Sequence, residues 1–388
     1  MIKRTSKSIR DFYDVFTTGL SVKEIERLVN VEAKGSYEFY LRNVKPEAQQ
    51  KNSVKRFLVF CWNMFLAFLL KLTPARRLFY AIAVFCLLYA WLYADLGYAV
   101  LGFVIVNFLL ALEVADRMIT KDELDLAREI QLSLLPGKLS SPEGYDLAAH
   151  SEVAKNVGGD YYDLIALADG SSLVVIGDVS GKGISAALYT VKVQTALQLI
   201  AKDSSDPKEL LVRLNRHLYG QLKKNYFLTI AVVQLYPDGR FRYCRAGHTP
   251  AIFFESAEPR WTRLQPGGAA LGLAPSGVQT EVMPDFAGAN GANGDHHYEA
   301  MVDIHEGSMR GGDVLFLYTD GVIEGVNSGQ QEFGEQRVAE IVSRNANVSA
   351  GGIKTIMMQE LSAFRAAAEL RDDTTFFVIK RVGEPSTE

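Results

Sequence analysis

Cysteine is scarce in this sequence, and its scarcity excludes a scaffold held together by disulfide bonds. The 388 residues include three cysteines, Cys61, Cys86 and Cys244, and the first two lie in apolar segments. Three cysteines in such places cannot form a disulfide framework. Their small number fits a reducing, cytosolic setting for the soluble part of the chain.

Several motifs that would indicate other chemistries are missing. The six histidines are scattered, and His296 and His297 fall in a Gly/Asn-rich stretch predicted as a loop, so no His/Cys cluster of the zinc type exists. Neither a G-x-S-x-G motif nor a P-loop occurs, which argues against covalent serine and ATP-driven mechanisms. The formal net charge of -4 gives no indication of nucleic-acid binding.

Residues 1–55 are polar and mixed in character, and they are predicted to form a small cytosolic helical region. Ser21 and Glu24 have the spacing of a capping box, so a helix is expected to begin there and to run to about Val31. The first long apolar stretch begins only near Phe57, which is too late for a cleavable signal peptide.

Residues 56–112 contain the long apolar runs and are predicted to be a membrane region. Residues 78–94 and 96–112 would each cover about 26 Å as a helix, enough to cross a slightly thinned bilayer. A tight turn is predicted between them at 95–97. Residues 57–72 form a shorter run, predicted as an interfacial helix or a third span. The alternative to a membrane region is that residues 78–94 and 96–112 form a buried helical hairpin in a soluble domain.

Basic residues flank this hairpin on both sides, which predicts that both of its ends face the cytoplasm. Six precede it and three follow it: Lys51, Lys55, Arg56, Lys71, Arg76, Arg77, Arg117, Lys121 and Arg128. If residues 57–72 also crossed the membrane, the N-terminus would lie outside, with basic residues on the wrong side.

Residues 113–136 are predicted to be a charged linker helix that continues out of the membrane region. Its apolar residues recur near one face, and they are Leu112, Ile119, Leu126, Ile130 and Leu134. Such a face must be buried, either against the helix's own domain or against a second protomer. The heptad pattern is imperfect, because Glu123 and Ser133 fall near the seam.

Strand-like and helical runs are set apart along residues 137–383, which favours two packed sheets flanked by helices over a parallel βαβ sheet. Strands are predicted at 145–153, 160–167, 171–179, 227–236, 240–245, 313–320 and 376–380. Helices are predicted at 184–200, 207–222, 336–345 and 352–368, with a hairpin turn at 237–239 and a flexible loop at 288–295.

Acidic residues stand at the ends of these strand-like runs. Asp160 opens one run, and residues 173–176 lead directly into Asp178. Asp320 closes a third run, and Asp372 lies just before the last one. A turn would explain one such acid, but four are more than turns require. An acid at a strand end, followed by glycine, is a suitable place to hold a hard cation.

Four short motifs contain these acids: VGGDYYD, GDVSGKG, YTDGVIE and DDTT. In this order they resemble the motifs of the metal-dependent PPM (protein phosphatase 2C-like) serine/threonine phosphatases, over residues 127–382. The resemblance is closer to the SpoIIE/RsbU branch. GGDYYD also resembles the GGDEF motif of diguanylate cyclases, but that motif needs no later YTDG or DDTT.

The resemblance implies an α-β-β-α sandwich, and hydrolysis of phosphoserine or phosphothreonine on a regulatory protein of the anti-sigma-factor antagonist type. It implies two divalent cations, Mn²⁺ or Mg²⁺. Two such ions about 3.5–4 Å apart neutralise phosphoryl oxygens and activate a water. It also implies a homodimer paired through the linker helix. The apolar runs and their basic flanks predict a location at a bacterial inner (cytoplasmic) membrane, with the phosphatase domain in the cytoplasm.

On this resemblance, five residues match the family's metal ligands. Asp178 matches the acid that bridges both metals, and the carbonyl of Val179 matches the main-chain ligand beside it. Asp160 matches the acid of the first motif, Asp320 that of YTDG, and Asp372 the first of the closing pair. The four acids are accordingly the predicted catalytic residues.

Six further residues are expected near the site: Asp163, Gly181, Gly183, His248, Glu324 and Asp373. The three acids are expected to support the ligands or to be structural. The two glycines would shape a loop near the substrate. The histidine, in AGHTP, is either a general acid or a packing residue.

Two other functions remain open from the sequence. One is a catalytically silent sensor of the same fold that binds a phosphoprotein, and the other is a membrane scaffold whose soluble domain only dimerises. The presence of every required acid argues against the silent sensor.

Overall fold

The computed structural model describes residues 53–136, 139–223, 225–273, 298–366 and 368–383. The helix predicted from Ser21 and the loop residues 288–297 lie outside the described residues. The chain divides into two compact units, Met1–Ile119 and Thr120–Glu388.

Three helices carry the apolar segments: α1 (Ser53–Lys71), α2 (Pro74–Tyr93) and α3 (Leu96–Leu134). Helices α2 and α3 are long and apolar enough to cross a membrane, whereas the apolar part of α1 is shorter. The turn between α2 and α3 lies slightly earlier than predicted. Ala94 has a left-handed conformation with φ of 52°, and α3 already begins at Leu96.

An ionic contact joins α2 to α3 within the first unit. Arg76, in the first turn of α2, donates to Glu113 at 3.2 Å and to Asp116 at 2.7 Å. The apolar parts of the two helices therefore run antiparallel. Their charged residues lie at one end of the hairpin and the turn at Asp95 lies at the other.

Two five-stranded antiparallel sheets form the centre of the second unit. The first sheet has the strand order β1-β10-β9-β6-β7, and the second has the order β2-β3-β4-β5-β8. The strands are β1 (Tyr145–Glu152), β2 (Asp160–Ala166), β3 (Ser172–Val179), β4 (Leu228–Leu235), β5 (Arg240–Ala246), β6 (Ala251–Glu255), β7 (Arg260–Leu264), β8 (His305–Ser308), β9 (Val314–Tyr318) and β10 (Thr374–Arg381).

Helices cover the outer face of each sheet. They are α4 (Ile184–Ile200), α5 (Pro207–Leu218), the single turn α6 (Asp320–Ile323), α7 (Glu335–Arg344) and α8 (Ala350–Arg365). Helices α4 and α5 pack on the second sheet, where Leu197 and Leu210 join one core with Val175. Helices α7 and α8 pack on the first sheet, where Val342 joins another core with Phe376.

A third apolar cluster fills the layer between the two sheets, with Ile176 on one side and Phe377 on the other. Alternation along each strand divides the side chains between these clusters. In β3, Val175 faces the helices while Val174 and Ile176 face the first sheet. The second unit is thus an α-β-β-α sandwich, which confirms the predicted fold.

Several predicted boundaries are wrong by a few residues, and three strands were not predicted. Helix α5 ends at Leu218 instead of residue 222, because Tyr219 takes a non-helical ψ of 129°. Strands β6, β7 and β8 were missed. Strand β8, with the sequence HEGS, lies at the edge of its sheet and carries no alternating apolar pattern.

Candidate active site

Asp160 and Asp178 stand opposite each other on neighbouring strands. Asp160 opens β2 and is paired with Asp178, near the end of β3, in the antiparallel register. Tyr162 lies two positions after Asp160, and Ile176 lies two positions before Asp178. Both contact the apolar cluster between the sheets. Because side chains alternate along a strand, both carboxylates face the inter-sheet layer at the same end of the second sheet.

The first sheet contributes two more acids. Strand β9 stops at Tyr318, so Asp320 begins the helical turn α6 and does not end the strand as predicted. Asp372 lies two residues before β10. Gly321 allows a close approach, because a β-carbon there would lie 1.9 Å from the main-chain oxygen of Asp373. The turn that carries Asp320 is therefore packed directly on the backbone that carries Asp372.

A threonine connects the two sheets beside these acids. The hydroxyl of Thr319 donates to Oδ2 of Asp160 at 2.9 Å and accepts from the main-chain nitrogen of Thr375 at 3.1 Å. All three residues are buried. Thr319 therefore fixes one oxygen of Asp160 relative to the end of the first sheet.

Asp373 holds the segment that leads into β2. Its carboxylate accepts from the main-chain nitrogen of Ala154 at 2.8 Å and from that of Gly159 at 2.7 Å. The hydroxyl of Thr190 on α4 donates to the carbonyl of Gly159 at 2.8 Å. The residue immediately before Asp160 is thus held by the first sheet and by a helix.

The acids repel one another. Burial, and then the nearby charge of Asp178, raises the pKa of Asp160 well above its usual range. Burial, followed by Asp320, Asp372 and Asp373, raises the pKa of Asp178 to about 7. Burial and Asp372 also raise the pKa of Asp320. A bound cation would relieve this repulsion.

The oxygen atoms present fit a hard divalent cation. A β-carbon at Gly159 would lie 2.8 Å from the carbonyl oxygen of Val179 and 3.0 Å from Oδ1 of Asp178, so these two oxygens face a common point. Carboxylates and carbonyls are the ligands that Mg²⁺ and Mn²⁺ prefer. Within the described ranges, no group of three Asp, Glu, His or Cys side chains is already arranged to hold an ion.

Residues 168–382 match the protein family described as stage II sporulation protein E (SpoIIE). This chain belongs to the SpoIIE family. The match covers more than half of the chain and includes three of the four acids. It confirms the family resemblance that the four motifs carry.

Individual relatives agree with this assignment. The chain is 29% identical over 206 residues to "Phosphoserine phosphatase RsbU" of Bacillus subtilis, covering 53% of this chain and 54% of that protein. It is 26% identical over 305 residues to "Protein IcfG" of Synechocystis, covering 71% of this chain and 44% of that protein. The chain therefore spans about half the length of these relatives.

A solved structure supports the fold. The SiaA-PP2C domain of Pseudomonas aeruginosa superposes with a TM-score of 0.55 at 20% identity, covering 69% of this chain and 98% of that one. At this identity the likeness concerns the fold alone. It agrees with the two sheets and flanking helices of the SpoIIE-family domain.

Asp163 does not join the other acids. It lies three residues from Asp160 on β2, so its side chain faces the opposite side of the sheet. It accepts from the hydroxyl of Tyr161 at 2.8 Å and from Nε2 of Gln198 on α4 at 2.8 Å. These contacts give Asp163 a structural role between the sheet and its covering helix.

Glu324 and the glycine loop lie close to the acids. Glu324 follows α6, and its pKa is raised by burial and by the charges of Asp320, Glu332 and Asp372. Gly181 and Gly183 enclose Lys182 in the loop before α4.

His248 is buried and packs behind the acids. Its Nδ1 lies 3.0 Å from the hydroxyl of Thr229, which is paired with Asp178 in the register of β3 and β4. Burial, and then the charge of Arg245, lowers the pKa of His248 to about 3. A neutral, buried imidazole favours the packing role over that of a general acid.

Two polar residues that sequence reasoning did not single out also contact the site. Gln131 is the buried residue of the linker segment, at 8% exposure. Its amide donates to the carbonyl of Gly158 at 2.7 Å and accepts from the nitrogen of Gly158 at 3.1 Å. The other is Lys182. The sequence contains a signal for Lys182, because this lysine stands between two glycines in one of the acidic motifs.

Proposed function

We propose that this chain is a metal-dependent protein serine/threonine phosphatase. The observation that carries the proposal is the convergence of four acids from both sheets, Asp160, Asp178, Asp320 and Asp372, at one end of the inter-sheet layer. Relatives named phosphoserine phosphatase support the reaction class.

These four carboxylates and the carbonyl of Val179 would hold the cations. The chemistry that a pair of divalent cations supplies when bound is charge neutralisation at phosphoryl oxygens and a water that is nucleophilic at neutral pH. The chain's own contribution is positioning. Thr319 orients Asp160, and Asp373 orients the segment before it.

We infer that the substrate is a phosphoserine or phosphothreonine on a regulatory protein, of the anti-sigma-factor antagonist type implied by family membership. The alternative is a sensor of the same fold that binds the phosphoprotein without hydrolysing it. The intact set of acids favours the enzyme, because a sensor would have no need for four mutually repelling carboxylates.

Membrane anchoring and dimerisation are part of the proposal. Helices α2 and α3 expose large apolar side chains, including Trp91 at 80%, and such exposure suits contact with lipid better than the core of a soluble protein. On the linker, Ile119, Leu126 and Ile130 are more than half exposed. A second protomer would bury them.

The test is hydrolysis of a generic phosphoester, and then of a phosphoserine protein, by the full chain in detergent with and without Mn²⁺. Asp178→Asn is expected to abolish turnover and Mn²⁺ binding while the metal-free protein stays folded, because the change removes repulsion among the acids. Asp238→Asn, in the exposed turn before β5, should behave as wild type. Near-normal turnover by Asp178→Asn would contradict the assignment.

A further inference from the structure

Lys182 forms an ion pair with one of the acids proposed to hold metal. Its Nζ lies 2.5 Å from Oδ2 of Asp372 and donates to the carbonyl of Arg371 at 2.9 Å. The contact spans 190 positions of sequence, so it joins the loop after β3 to the segment before β10.

The charge of Lys182 acts on more than its direct partner. It lowers the pKa values of Asp178, Asp320 and Glu324, opposing the increase that burial and the neighbouring acids cause. The ammonium group therefore stands within electrostatic reach of Asp178, Asp320 and Glu324 as well as of its direct partner. It already supplies part of the positive charge that the cluster requires.

A divalent cation and this ammonium group would compete for the same carboxylate. Asp372 cannot direct the same oxygen to both, and two cations beside one acid repel each other.

Open space adjoins Lys182 on one side of its loop. Gly181 and Gly183 have φ of +99° and +78°, a region that favours glycine. A β-carbon at Gly183 would meet no atom within 4 Å, whereas one at Gly181 would lie 2.9 Å from the ring of Tyr226. A cavity of about 230 Å³ adjoins the pair and is lined by Lys182, Glu324 and Asp372 among others. The side chain has room to move.

We propose that Lys182 is a built-in counter-ion of the acidic cluster, which a divalent cation must displace from Asp372 before the site fills. Lys182 thereby sets the cation concentration at which the enzyme becomes active. The proposal rests on the proposed metal-dependent function, since it concerns access to the same carboxylates.

The test measures Mn²⁺ binding to the metal-free full chain in detergent, by calorimetry or by the electron paramagnetic resonance signal of free Mn²⁺. Lys182→Met should bind Mn²⁺ more tightly, by roughly two- to fivefold for a pair that is partly exposed. The Mn²⁺ concentration that gives half-maximal turnover should fall in parallel. Lys182→Arg keeps the charge and should resemble wild type.

Two comparisons make the test specific. Lys192→Met removes a lysine from α4 whose ammonium donates to Gln221, and it should leave Mn²⁺ binding unchanged. In an Asp372→Asn background, Lys182→Met should tighten the remaining Mn²⁺ binding by less than it does in wild type, because the contested carboxylate is gone and only the effect of Lys182 on the other acids is removed. Thermal unfolding of each variant establishes that it is folded.

Unchanged or weaker Mn²⁺ binding by Lys182→Met would overturn the counter-ion role while leaving the proposed function intact, provided that wild type binds Mn²⁺ and is active. If wild type binds no Mn²⁺, both proposals are wrong.

Discussion

His248 illustrates how one buried side chain imposes a pH dependence on this fold. Its pKa falls from an ordinary value of 6.5 to about 3, because burial disfavours the charged ring. Between these values the unfolded chain binds a proton that the folded chain does not. The contribution of neutral His248 to the free energy of unfolding is therefore fully present above pH 6.5, and it is lost as the pH falls toward 3.

We expect His248→Gln to weaken this acid sensitivity. For one proton, the slope of the free energy of unfolding against pH should decrease by up to about 1.4 kcal/mol per pH unit between roughly pH 6 and 4. The measurement is urea unfolding of the metal-free protein across this range. His217→Gln, at an exposed position on α5, is the matched control. Equal slopes for wild type and His248→Gln would refute the prediction.

At the level of single residues, the motifs located the acids that the structure brings to one end of the inter-sheet layer, and their role as metal ligands stays a prediction. Asp160 and Asp178 lie opposite each other as strand-end acids should. Asp163 could have been separated from them by counting, because an odd spacing on a strand reverses the face. Asp373 was expected near the site, but Thr319 was not singled out, because its contact with Asp160 joins distant segments that local patterns do not connect.

At the level of elements, most strands were predictable, whereas β6 and two short edge strands, β7 and β8, were not. Strand β3 is buried on both faces, and residues 173–176 within it form an apolar run that made the strand predictable. Strand β7 has a mostly exposed pattern and pairs only with β6 in the sheet order. An edge strand needs little apolar surface, so its sequence carries a weak signal.

The linker differs from its prediction in an informative way. Ile130 and Leu134 are 55% and 41% exposed, whereas the buried residue Gln131 contacts the domain through Gly158. The helix's own domain therefore leaves much of the predicted apolar face uncovered. Burial of this face by a second protomer is part of the proposal.

We therefore expect Ile130→Asp to lower activity and dimer content far more than it lowers thermal stability, with a higher Mn²⁺ requirement. Leu132 is equally apolar and 45% exposed, but it lies about 200° around the helix from Ile130. Leu132→Asp should thus have little effect. Sedimentation of the full chain in detergent, together with Mn²⁺-dependent turnover, measures both variants. If neither variant changes either quantity, the linker helix is a passive tether.

At the level of the whole molecule, the fold followed from the order of four motifs, and the match over residues 168–382 confirms the family. The boundaries proposed at 55, 112 and 136 stay predictions. Helix α3 is one continuous helix from Leu96 to Leu134. Composition changes along such a helix from apolar to charged, and no break in secondary structure marks where a membrane region would end.

The final prediction concerns topology: the N- and C-termini are both expected to face the cytoplasm. Basic residues precede α2 and follow the apolar part of α3, and such residues remain on the cytoplasmic side. The contact of Arg76 with Glu113 and Asp116 places both flanks at one end of the hairpin. A hairpin of two spans would return the chain to the side from which it started.

Cysteine labelling in intact bacterial cells tests this topology in a variant without Cys61, Cys86 and Cys244. A cysteine replacing Leu96, which is 77% exposed beside the turn, should react with a membrane-impermeant maleimide. Cysteines added at either terminus should react only after the cells are opened. Labelling of the N-terminal cysteine from outside would instead mean three spans, with α1 (Ser53–Lys71) as the first. Protection of Leu96→Cys in intact cells would mean that the hairpin does not cross, and that α2 and α3 lie on the membrane surface or bury their apolar sides against protein.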